Sequence, residues 1–261
     1  MDPDISIAIV GHEHRPYLDR ALSSIFDVEI QRSFEVIFVD NDSRDGSAEF
    51  VESAFPQVHL IRNLRRCGLA RNNNLAFSVS RGRYFLILNP DTEVQENSIE
   101  QMVRFLEETP EAGIVGPRLL FPDGNLQLSC RNFPTLRSFI WRRTPLRLLV
   151  PEDRRAKSHL MVDHDHTRES SVDWLLGAAI MLRRDVYESV GGMDERFELY
   201  CEDIDLCYRV RAAGFSVHYL PEAVVIHDHL AETDKSFMTR RTLLHYKSML
   251  RYVCGHGVKL V

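Results

Sequence analysis

The first 120 residues alternate between short apolar runs and longer segments in which apolar positions recur at helical spacing. The predicted strands are residues 5–10, 34–39, 58–61 and 84–88, and the predicted helices are residues 17–26, 47–54 and 69–79. Because these strands are almost continuously apolar, we expect a Rossmann-like, mainly parallel sheet flanked by helices on both faces. Each crossover between parallel strands should be right-handed.

The second half of the chain has shorter apolar runs that are separated by turns. The expected strands or buried segments are residues 114–117, 119–121, 174–182, 216–220 and 224–226. The expected helices are residues 185–190, 202–213 and 236–252, with Gly214 ending the second of them. No internal repeat is visible, and the pattern predicts one α/β domain over residues 1–261.

Composition adds a charge asymmetry to this picture. The chain has 261 residues, 44% of them hydrophobic, which suffices for a sizeable core. Its formal net charge is −6, so general binding to nucleic acid is not expected. Residues 131–157 nevertheless contain eight basic and two acidic side chains, a local charge of +6 that leaves −12 on the remainder.

The cysteines and the N-terminus bear on the cellular compartment. Five cysteines without CxxC spacing argue against a disulfide framework or a zinc site. The N-terminus is acidic and has no apolar signal region, and the longest apolar run, residues 174–182, is about half as long as a membrane-spanning helix. We therefore expect a cytoplasmic protein.

Several motifs of well-known enzyme classes are missing. The chain has no GxGxxG, GxxxxGK[ST], HExxH or GxSxG, which disfavours dinucleotide oxidoreductases, P-loop enzymes, zinc peptidases and serine hydrolases. What remains is a set of carboxylates at predicted strand ends, where ligands of open α/β sheets bind. Asp40 could accept a hydrogen bond from a base or a ribose there, while Asp45 and Ser47 fit turn and capping roles.

Two further segments could meet a nucleotide. Asp91 follows the fourth strand in Asn-Pro-Asp and could hold Mg²⁺ or Mn²⁺ through a diphosphate, or belong to an Asx-Pro turn; the tripeptide favours neither. Gly68 and Arg71 lie near a predicted helix start, where backbone N–H groups and a guanidinium could meet phosphate. Of the three asparagines at 72–74 we expect at least one to be solvated, because successive helical residues point about 100° apart.

The helix at 202–213 begins with a cluster of acids. Acidic residues in a first turn are favoured by the helix dipole, but Glu202 or Asp203 could also act as a general base. Asp205 and Arg209 are four residues apart, and we expect a surface pair of little energetic consequence. His227 ends a short strand, where it is a structural histidine or, beside a carboxylate, a metal ligand.

Taken in order, seven segments resemble the family 2 glycosyltransferases of the GT-A fold, most closely the rhamnosyltransferase-like branch that builds bacterial surface polysaccharides. The segments are VDNDSRDGS at 39–47, GLARNNN at 68–74, NPD at 89–91, WLLGA at 174–178, GGMDE at 191–195, EDIDLCYR at 202–209 and VIHDH at 225–229. No one of them is decisive, but their order is specific.

The resemblance implies an inverting transfer of a sugar, with rhamnose as a candidate, in cell-envelope polysaccharide synthesis. The donor would be a dTDP- or UDP-linked sugar, the acceptor a growing glycan or a polyprenyl-diphosphate-linked one, and the cofactor Mg²⁺ or Mn²⁺. Residues 1–120 would form the nucleotide-sugar-binding half. Residues 121–261, with the basic segment 131–157, would form the smaller acceptor-binding part.

Site roles are carried over by position. Asp203 would be the catalytic base, with Glu202 assisting it and binding the acceptor. Asp91 and His227 would bind the metal, and Trp174, Gly177 and Ala178 would line the acceptor side. The residues that would contact the nucleotide sugar are Val10, Asp40, Asp42, Gly68, Arg71, Asn72, Asn73, Asn89 and Asp91. Two departures from the family pattern are Asn89 in place of the first metal-binding acid and Gly11-His12-Glu13-His14 in place of an aromatic–Asn pair.

Some alternatives stay open. The basic segment could contact an anionic membrane surface or the pyrophosphate of a lipid-linked acceptor, or it could be a solvated or dimer-forming flap, so peripheral membrane binding and oligomerisation are both compatible with the sequence. A nucleotidyltransferase that makes nucleotide sugars is disfavoured because a Gly-rich, basic loop is missing after the first strand. A non-catalytic nucleotide-sugar binding module is disfavoured by the presence of both Asp203 and His227.

Overall fold

The computed structural model describes residues 2–133, 160–228 and 240–257. Its strands are β1 (Ile5–Gly11), β2 (Phe34–Asp40), β3 (His59–Arg62), β4 (Tyr84–Leu88), β5 (Thr92–Val94), β6 (Ala112–Leu120), β7 (Leu126–Gln127), β8 (Cys130–Arg131), β9 (Ser170–Ser171), β10 (Trp174–Leu175), β11 (Ala179–Arg183) and β12 (Ser216–His227). Its helices are α1 (Arg15–Asp27), α2 (Ser47–Ala54), α3 (Leu69–Val79), α4 (Ser98–Glu108), α5 (Arg184–Ser189), α6 (Glu202–Ala212) and α7 (Arg240–His256).

The central sheet has the strand order β3-β2-β1-β4-β11-β6-β12-β5. The first four of these strands are parallel, as their apolar runs predicted. β11 is antiparallel to both of its neighbours, and β12 returns to a parallel pairing with β6. The sheet is therefore mixed but mainly parallel around β1, and the predicted α/β fold class is confirmed.

Helices cover both faces because consecutive residues of the strands point to opposite sides. In β1, Ile5, Ile7 and Ile9 belong to a core cluster that includes buried residues of α1 and α4. The alternate residues Ala8 and Val10 belong to a second cluster that includes residues of α3, α5 and α6. The alternation in one strand thus divides the interior into two layers.

Four parts of the chain differ from the sequence prediction. The two runs at 114–121 form one strand, β6, and the runs at 216–220 and 224–226 form one strand, β12, with a register shift between Leu220 and Val224. The run at 174–182 is broken by residues 176–178 into β10 and β11. Helix α4, which buries Ile99, Met102, Val103 and Leu106 along one face, was not predicted.

Parallel strand order brings distant polar residues to one edge of the sheet. Gly11 at the end of β1 pairs with Asp40 at the end of β2, and Asn89 N–H, just beyond β4, donates to Ala178 O. His227 at the end of β12 pairs with Thr92 of β5, beside Asp91. Most of the basic segment, residues 134–157, lies outside the described residues, so its membrane and flap interpretations stay predictions. None of the helices described combines the length and apolar character needed to span a bilayer.

Candidate active site

The end of β2 presents a buried carboxylate. Asp40 is 4% exposed; its Oδ2 accepts a hydrogen bond from Ser43 N–H at 3.1 Å. Its Oδ1 is also buried and has no hydrogen-bond partner within the described residues. The neighbouring Asn41 bonds through its side chain to both the N–H and the C=O of Cys67, which fixes the loop before α3. Asp40 therefore offers an acceptor oxygen at the place predicted for a nucleotide.

The loop between β1 and α1 holds two histidines that the sequence prediction did not assign. His12 N–H donates to His14 Nδ1 at 3.0 Å, and the His12 ring contacts Asn41 O at 2.9 Å. Between them Glu13 has a left-handed φ of 59°. Burial lowers the pKa of His14, although the charge of Asp91 opposes this effect. His14 thus lies close enough to Asp91 of the Asn-Pro-Asp turn for the two charges to interact.

The turn at 45–47 has the predicted capping geometry. Asp45 Oδ1 accepts hydrogen bonds from Ser47 N–H and Oγ–H, and its Oδ2 accepts one from Arg15 N–H at 2.9 Å. Asp45 thereby connects the starts of α1 and α2. Asp42, three residues earlier, has a left-handed φ of 63° and is half-buried.

Helix α3 places its polar residues in different environments. Arg71 is exposed and, with Asn72, helps to line a cavity of about 460 Å³ beside the loop at 63–67. Asn73 is 2% exposed, and its Nδ2 lies 3.6 Å from Met193 Sδ. Asn74 is not merely solvated, since its side chain forms hydrogen bonds with Tyr187, Met193 and Glu195. The expectation that one of the three is merely solvated is therefore wrong.

Gly68 precedes this helix in a tight packing site. A Cβ on Gly68 would lie 3.0 Å from Glu198 Cα, and Leu69 N–H donates to Glu198 O at 3.1 Å. The absence of a side chain at residue 68 thus allows the N-terminus of α3 to contact the segment that leads into α6.

Asp91 and His227 face each other across β5 and β12. His227 Nε2 lies 3.4 Å from Asp91 Oδ1, and Asp228 N–H donates to Asp91 O at 2.9 Å. Burial raises the pKa of Asp91, but the interactions with His227 outweigh it, so the pKa lies below its usual value. Oδ1 of this ionised group is buried without a well-formed hydrogen bond in the described part of the chain. An imidazole nitrogen and a carboxylate oxygen at this separation fit a divalent cation that takes its other ligands from substrate and water.

The His227 ring contacts a residue that the sequence prediction missed. Gln127 Oε1 lies 2.7 Å from His227 Nδ1. The two residues are 100 positions apart, so no local pattern could have indicated the contact. No group of three or more metal-ligating side chains occurs in residues 2–133, 160–228 and 240–257, so these residues offer the pair Asp91 and His227.

Glu202 and Asp203 begin helix α6 in contrasting environments. Asp203 Oδ2 accepts a hydrogen bond from Gly177 N–H at 3.1 Å, and Oδ1 accepts one from Ile204 N–H at 2.8 Å. Glu202 is 7% exposed, and its Oε2 is buried without a partner among the described residues. Two amide donors stabilise a charged Asp203, whereas nothing comparable stabilises a charged Glu202 Oε2.

The pKa values of the two carboxyls follow from these contacts. Burial and the charge of Asp203 raise the pKa of Glu202 to about 8. Burial also raises the pKa of Asp203, but the N–H groups of Gly177 and Ile204 and the charge of Arg131 oppose the shift. The two amide donors thus favour the charged form of Asp203, whereas burial and the neighbouring charge favour the protonated form of Glu202.

Gly177, one of the residues predicted to line the acceptor side, packs against Asp203. A Cβ on Gly177 would lie 3.2 Å from Asp203 Cβ. Trp174 is 5% exposed, donates from Nε1 to Asn132 O and has the Arg131 guanidinium 5.6 Å from its ring centroid. Ala178 is 1% exposed, so its side chain is enclosed and its carbonyl binds Asn89 N–H. β10 and β8 form a two-stranded sheet that joins Trp174 to Arg131.

The Asp205–Arg209 pair is not the surface arrangement that the sequence suggested. Asp205 is 1% exposed; it accepts a 2.7 Å hydrogen bond from Arg209 Nε and lies 2.6 Å from His256 Nε2 of α7. Arg209 also donates to the carbonyls of Val190 and Gly192. Helix α7 packs over the pair and buries it. The contacting residue of that helix, His256, is 51 positions from Asp205 in the sequence.

Comparison with known proteins agrees with the fold and with the family that the sequence resembles. The model of the family "Glycosyl transferase family 2" matches residues 6–189. The chain is 28% identical to N-acetylglucosaminyl-diphospho-decaprenol L-rhamnosyltransferase of Mycobacterium tuberculosis, over 94% of this chain and 82% of the relative. It is 26% identical to rhamnosyltransferase WbbL of Escherichia coli, over 95% of this chain and 92% of the relative.

A solved structure supports the fold independently. The crystal structure of GalNAc-T7 with UDP, GalNAc and Mn²⁺ superimposes with a TM-score of 0.71 at 19% identity. The match covers 96% of this chain and 48% of that chain, so the present chain spans about half its length. The ordered motifs, the mixed sheet and the family match agree, and the resemblance inferred from sequence is confirmed: the chain belongs to glycosyl transferase family 2 and is a glycosyltransferase of the GT-A fold.

Proposed function

We propose that the enzyme transfers a sugar, rhamnose as in the named relatives, from a dTDP- or UDP-linked donor to a hydroxyl of a glycan carried on a polyprenyl diphosphate or growing from one. The names of the relatives from M. tuberculosis and E. coli support the sugar, and the former supports the lipid-linked acceptor. Residues 1–120 bind the donor, and residues 121–261 supply the acceptor side. The product belongs to cell-envelope polysaccharide synthesis.

Donor binding follows the carboxyl edge of the sheet. Asp40 Oδ1 is a buried acceptor, which suits the imide N–H of uracil or thymine, and Arg71 supplies a cation beside the cavity at α3. Gly68 and Asn72 lie around that helix start, while Val10, Asp42 and Asn89 contribute at neighbouring strand ends. We assign Asn73 a supporting contact through Met193, since its side chain is enclosed there.

The metal site consists of Asp91 and His227, and its occupant is Mg²⁺ or Mn²⁺. When bound, the cation stabilises the charge that develops on the leaving diphosphate. Asn89 replaces a carboxylate, and the described residues supply two ligands. Binding should therefore depend strongly on the nucleotide diphosphate.

Catalysis requires one proton transfer and one displacement. Asp203 removes the proton from the acceptor hydroxyl. The hydroxyl oxygen attacks the anomeric carbon from the face opposite the diphosphate, so the configuration inverts. The N–H groups of Gly177 and Ile204 keep Asp203 ionised and aimed. Glu202, which carries the proton of the pair, donates a hydrogen bond to the acceptor. The two amide donors to Asp203, beside the buried Glu202 Oε2 without a partner among the described residues, are the observation that carries the proposal.

Product analysis with the Asp203→Asn variant tests it. We expect transfer from dTDP-rhamnose or a UDP-sugar to a polyprenyl-diphosphate-linked GlcNAc to fall by about 10² to 10⁴, since the general base is removed. Nucleotide diphosphate binding should be retained. Full transfer by this variant would refute the role of Asp203. Release of pyrophosphate from a sugar-1-phosphate and a nucleoside triphosphate would instead identify a nucleotidyltransferase, and donor binding without transfer to any acceptor would identify a binding module.

A further inference from the structure

The side chain of Gln127 belongs to neither the donor nor the acceptor contacts described above. It is 6% exposed on the two-residue strand β7, and its Oε1 lies 2.7 Å from His227 Nδ1. Buried side-chain amides are nearly always hydrogen-bonded, and the contact with His227 supplies such a partner to Gln127. We propose that Gln127 is a positioning residue for the metal site: it fixes the tautomer and ring orientation of His227 so that Nε2 is available to the cation.

Strand register places Gln127 on the correct face of the sheet. Gln127 pairs with Leu119 of β6, and Leu119 pairs on its other edge with Val225 of β12. Residues paired across strands share a face, and alternate residues of one strand do so as well. Gln127 and His227, two positions beyond Val225, therefore project from the same side.

The chemistry of the contact selects one tautomer. An amide oxygen only accepts hydrogen bonds, so His227 Nδ1 must carry the proton. When the ring binds a cation, Nε2 gives up its proton and uses its lone pair, and this is the nitrogen that lies 3.4 Å from Asp91 Oδ1. Histidine ligands of metals generally use their second nitrogen in this way, and loss of the outer partner typically weakens metal affinity by about 10–100-fold.

The site has reason to depend on this support. The described residues supply two metal ligands, and one of them is an imidazole, which binds a cation only when its Nε2 is directed at that cation. A closed four-ligand site would tolerate a poorly aimed ligand better than a pair does. Orientation of His227 thus contributes directly to whether the cation is bound together with the nucleotide diphosphate.

Mn²⁺ binding in the presence of UDP or dTDP, followed by the decrease of the free-ion EPR signal, tests the inference. We expect Gln127→Leu to weaken Mn²⁺ affinity by about 10–100-fold. Gln127→Glu keeps an acceptor at the same place and should stay within about threefold of the unmodified enzyme. Leu126→Ala, at the exposed neighbour on β7, is the matched control and should not change the affinity. Binding of the nucleotide without metal should be equal in all four proteins.

A spectroscopic readout separates positioning from a general structural defect. Pulsed EPR of bound Mn²⁺ detects the nitrogen of a coordinated imidazole, and this coupling should be retained in Gln127→Glu and reduced in Gln127→Leu. Equal Mn²⁺ affinity in Gln127→Leu and the unmodified enzyme would overturn the inference, as would equal losses in both Gln127 variants. Because the inference rests on the proposed metal site, absence of Mn²⁺ binding by the unmodified enzyme would overturn both; Mn²⁺ binding that needs Asp91 but not Gln127 would overturn only the inference.

Discussion

The buried Asp205–Arg209 pair allows a quantitative test of how α6 is stabilised. In Asp205→Ala, Arg209 keeps its bonds to the carbonyls of Val190 and Gly192 but loses its counter-ion. Its side chain is 22% exposed, so solvent can compensate only in part. Breaking one partner of a buried pair typically costs about 3–5 kcal/mol. At about 2–4 °C per kcal/mol, the unfolding midpoint should fall by about 6–20 °C.

The chain contains a matched control with the same chemistry and spacing. Arg104 and Glu108 are also four residues apart on a helix, at 2.8 Å, but their side chains are 73% and 63% exposed. Glu108→Ala should leave the midpoint within about 1 °C of the unmodified protein, because solvated pairs contribute little. The assay is thermal unfolding followed by circular dichroism at fixed pH and salt.

The comparison of the two alanine variants decides the matter. Midpoints of Asp205→Ala and Glu108→Ala that agree within about 2 °C would refute the reasoning that burial makes the Asp205 pair important. A double variant, Asp205→Leu with Arg209→Met, should recover part of the loss since it leaves no uncompensated charge. If the double variant is less stable than Asp205→Ala, the cause is lost packing and not the isolated guanidinium.

Two other predictions concern the base. Gly177→Ala brings a Cβ to 3.2 Å from Asp203 Cβ and 3.5 Å from Asp203 Oδ2. The Asp203 side chain should shift by a few tenths of an ångström, which should lower kcat about tenfold. Gly255→Ala, where a Cβ would meet nothing within 4 Å, is the control, and equal kcat values in the two variants would contradict the prediction. The pKa of Glu202, raised to about 8, predicts that kcat/KM falls above that pH as Glu202 ionises and ceases to donate a hydrogen bond. In Glu202→Gln this alkaline fall should be absent, and its persistence at the same pH would assign it to another group.

Local patterns predicted much of the fold because several elements are defined by their own residues. Helix α3 and strand β4 have the bounds that their spacing predicts, since a run of apolar residues or a helical period needs no knowledge of distant partners. Strands β6 and β12 were divided in the prediction around Pro117 and Pro221. In the structure Pro117 pairs with Leu220 next to the register shift, where a missing N–H is tolerated.

The site was predictable in its carboxylates and less so in what surrounds them. Strand-end position and motif order indicated Asp40, Asp91, Asp203 and His227. The burial of Asp205 depends on α7, and the contact of Gln127 with His227 depends on strand pairing across β6. Neither can therefore be predicted from the neighbouring sequence. The amide support of Asp203 by Gly177 is likewise a contact over 26 residues.

The short segment from Gln127 to Phe133 has a practical consequence for enzyme engineering. It contacts His227 at its start, receives Leu176 N–H at Ser129 O, and ends where Phe133 N–H donates to Asp173. After residues 134–159, His166 Nδ1 lies 3.3 Å from Cys130 Sγ, and His166 Nε2 lies 3.0 Å from Met161 O. Junctions placed after Phe133 and before Leu160 therefore retain all of these anchors. Chimaeras that exchange only residues 134–159 between relatives keep these contacts unchanged, so a change in acceptor use would be assigned to the exchanged segment.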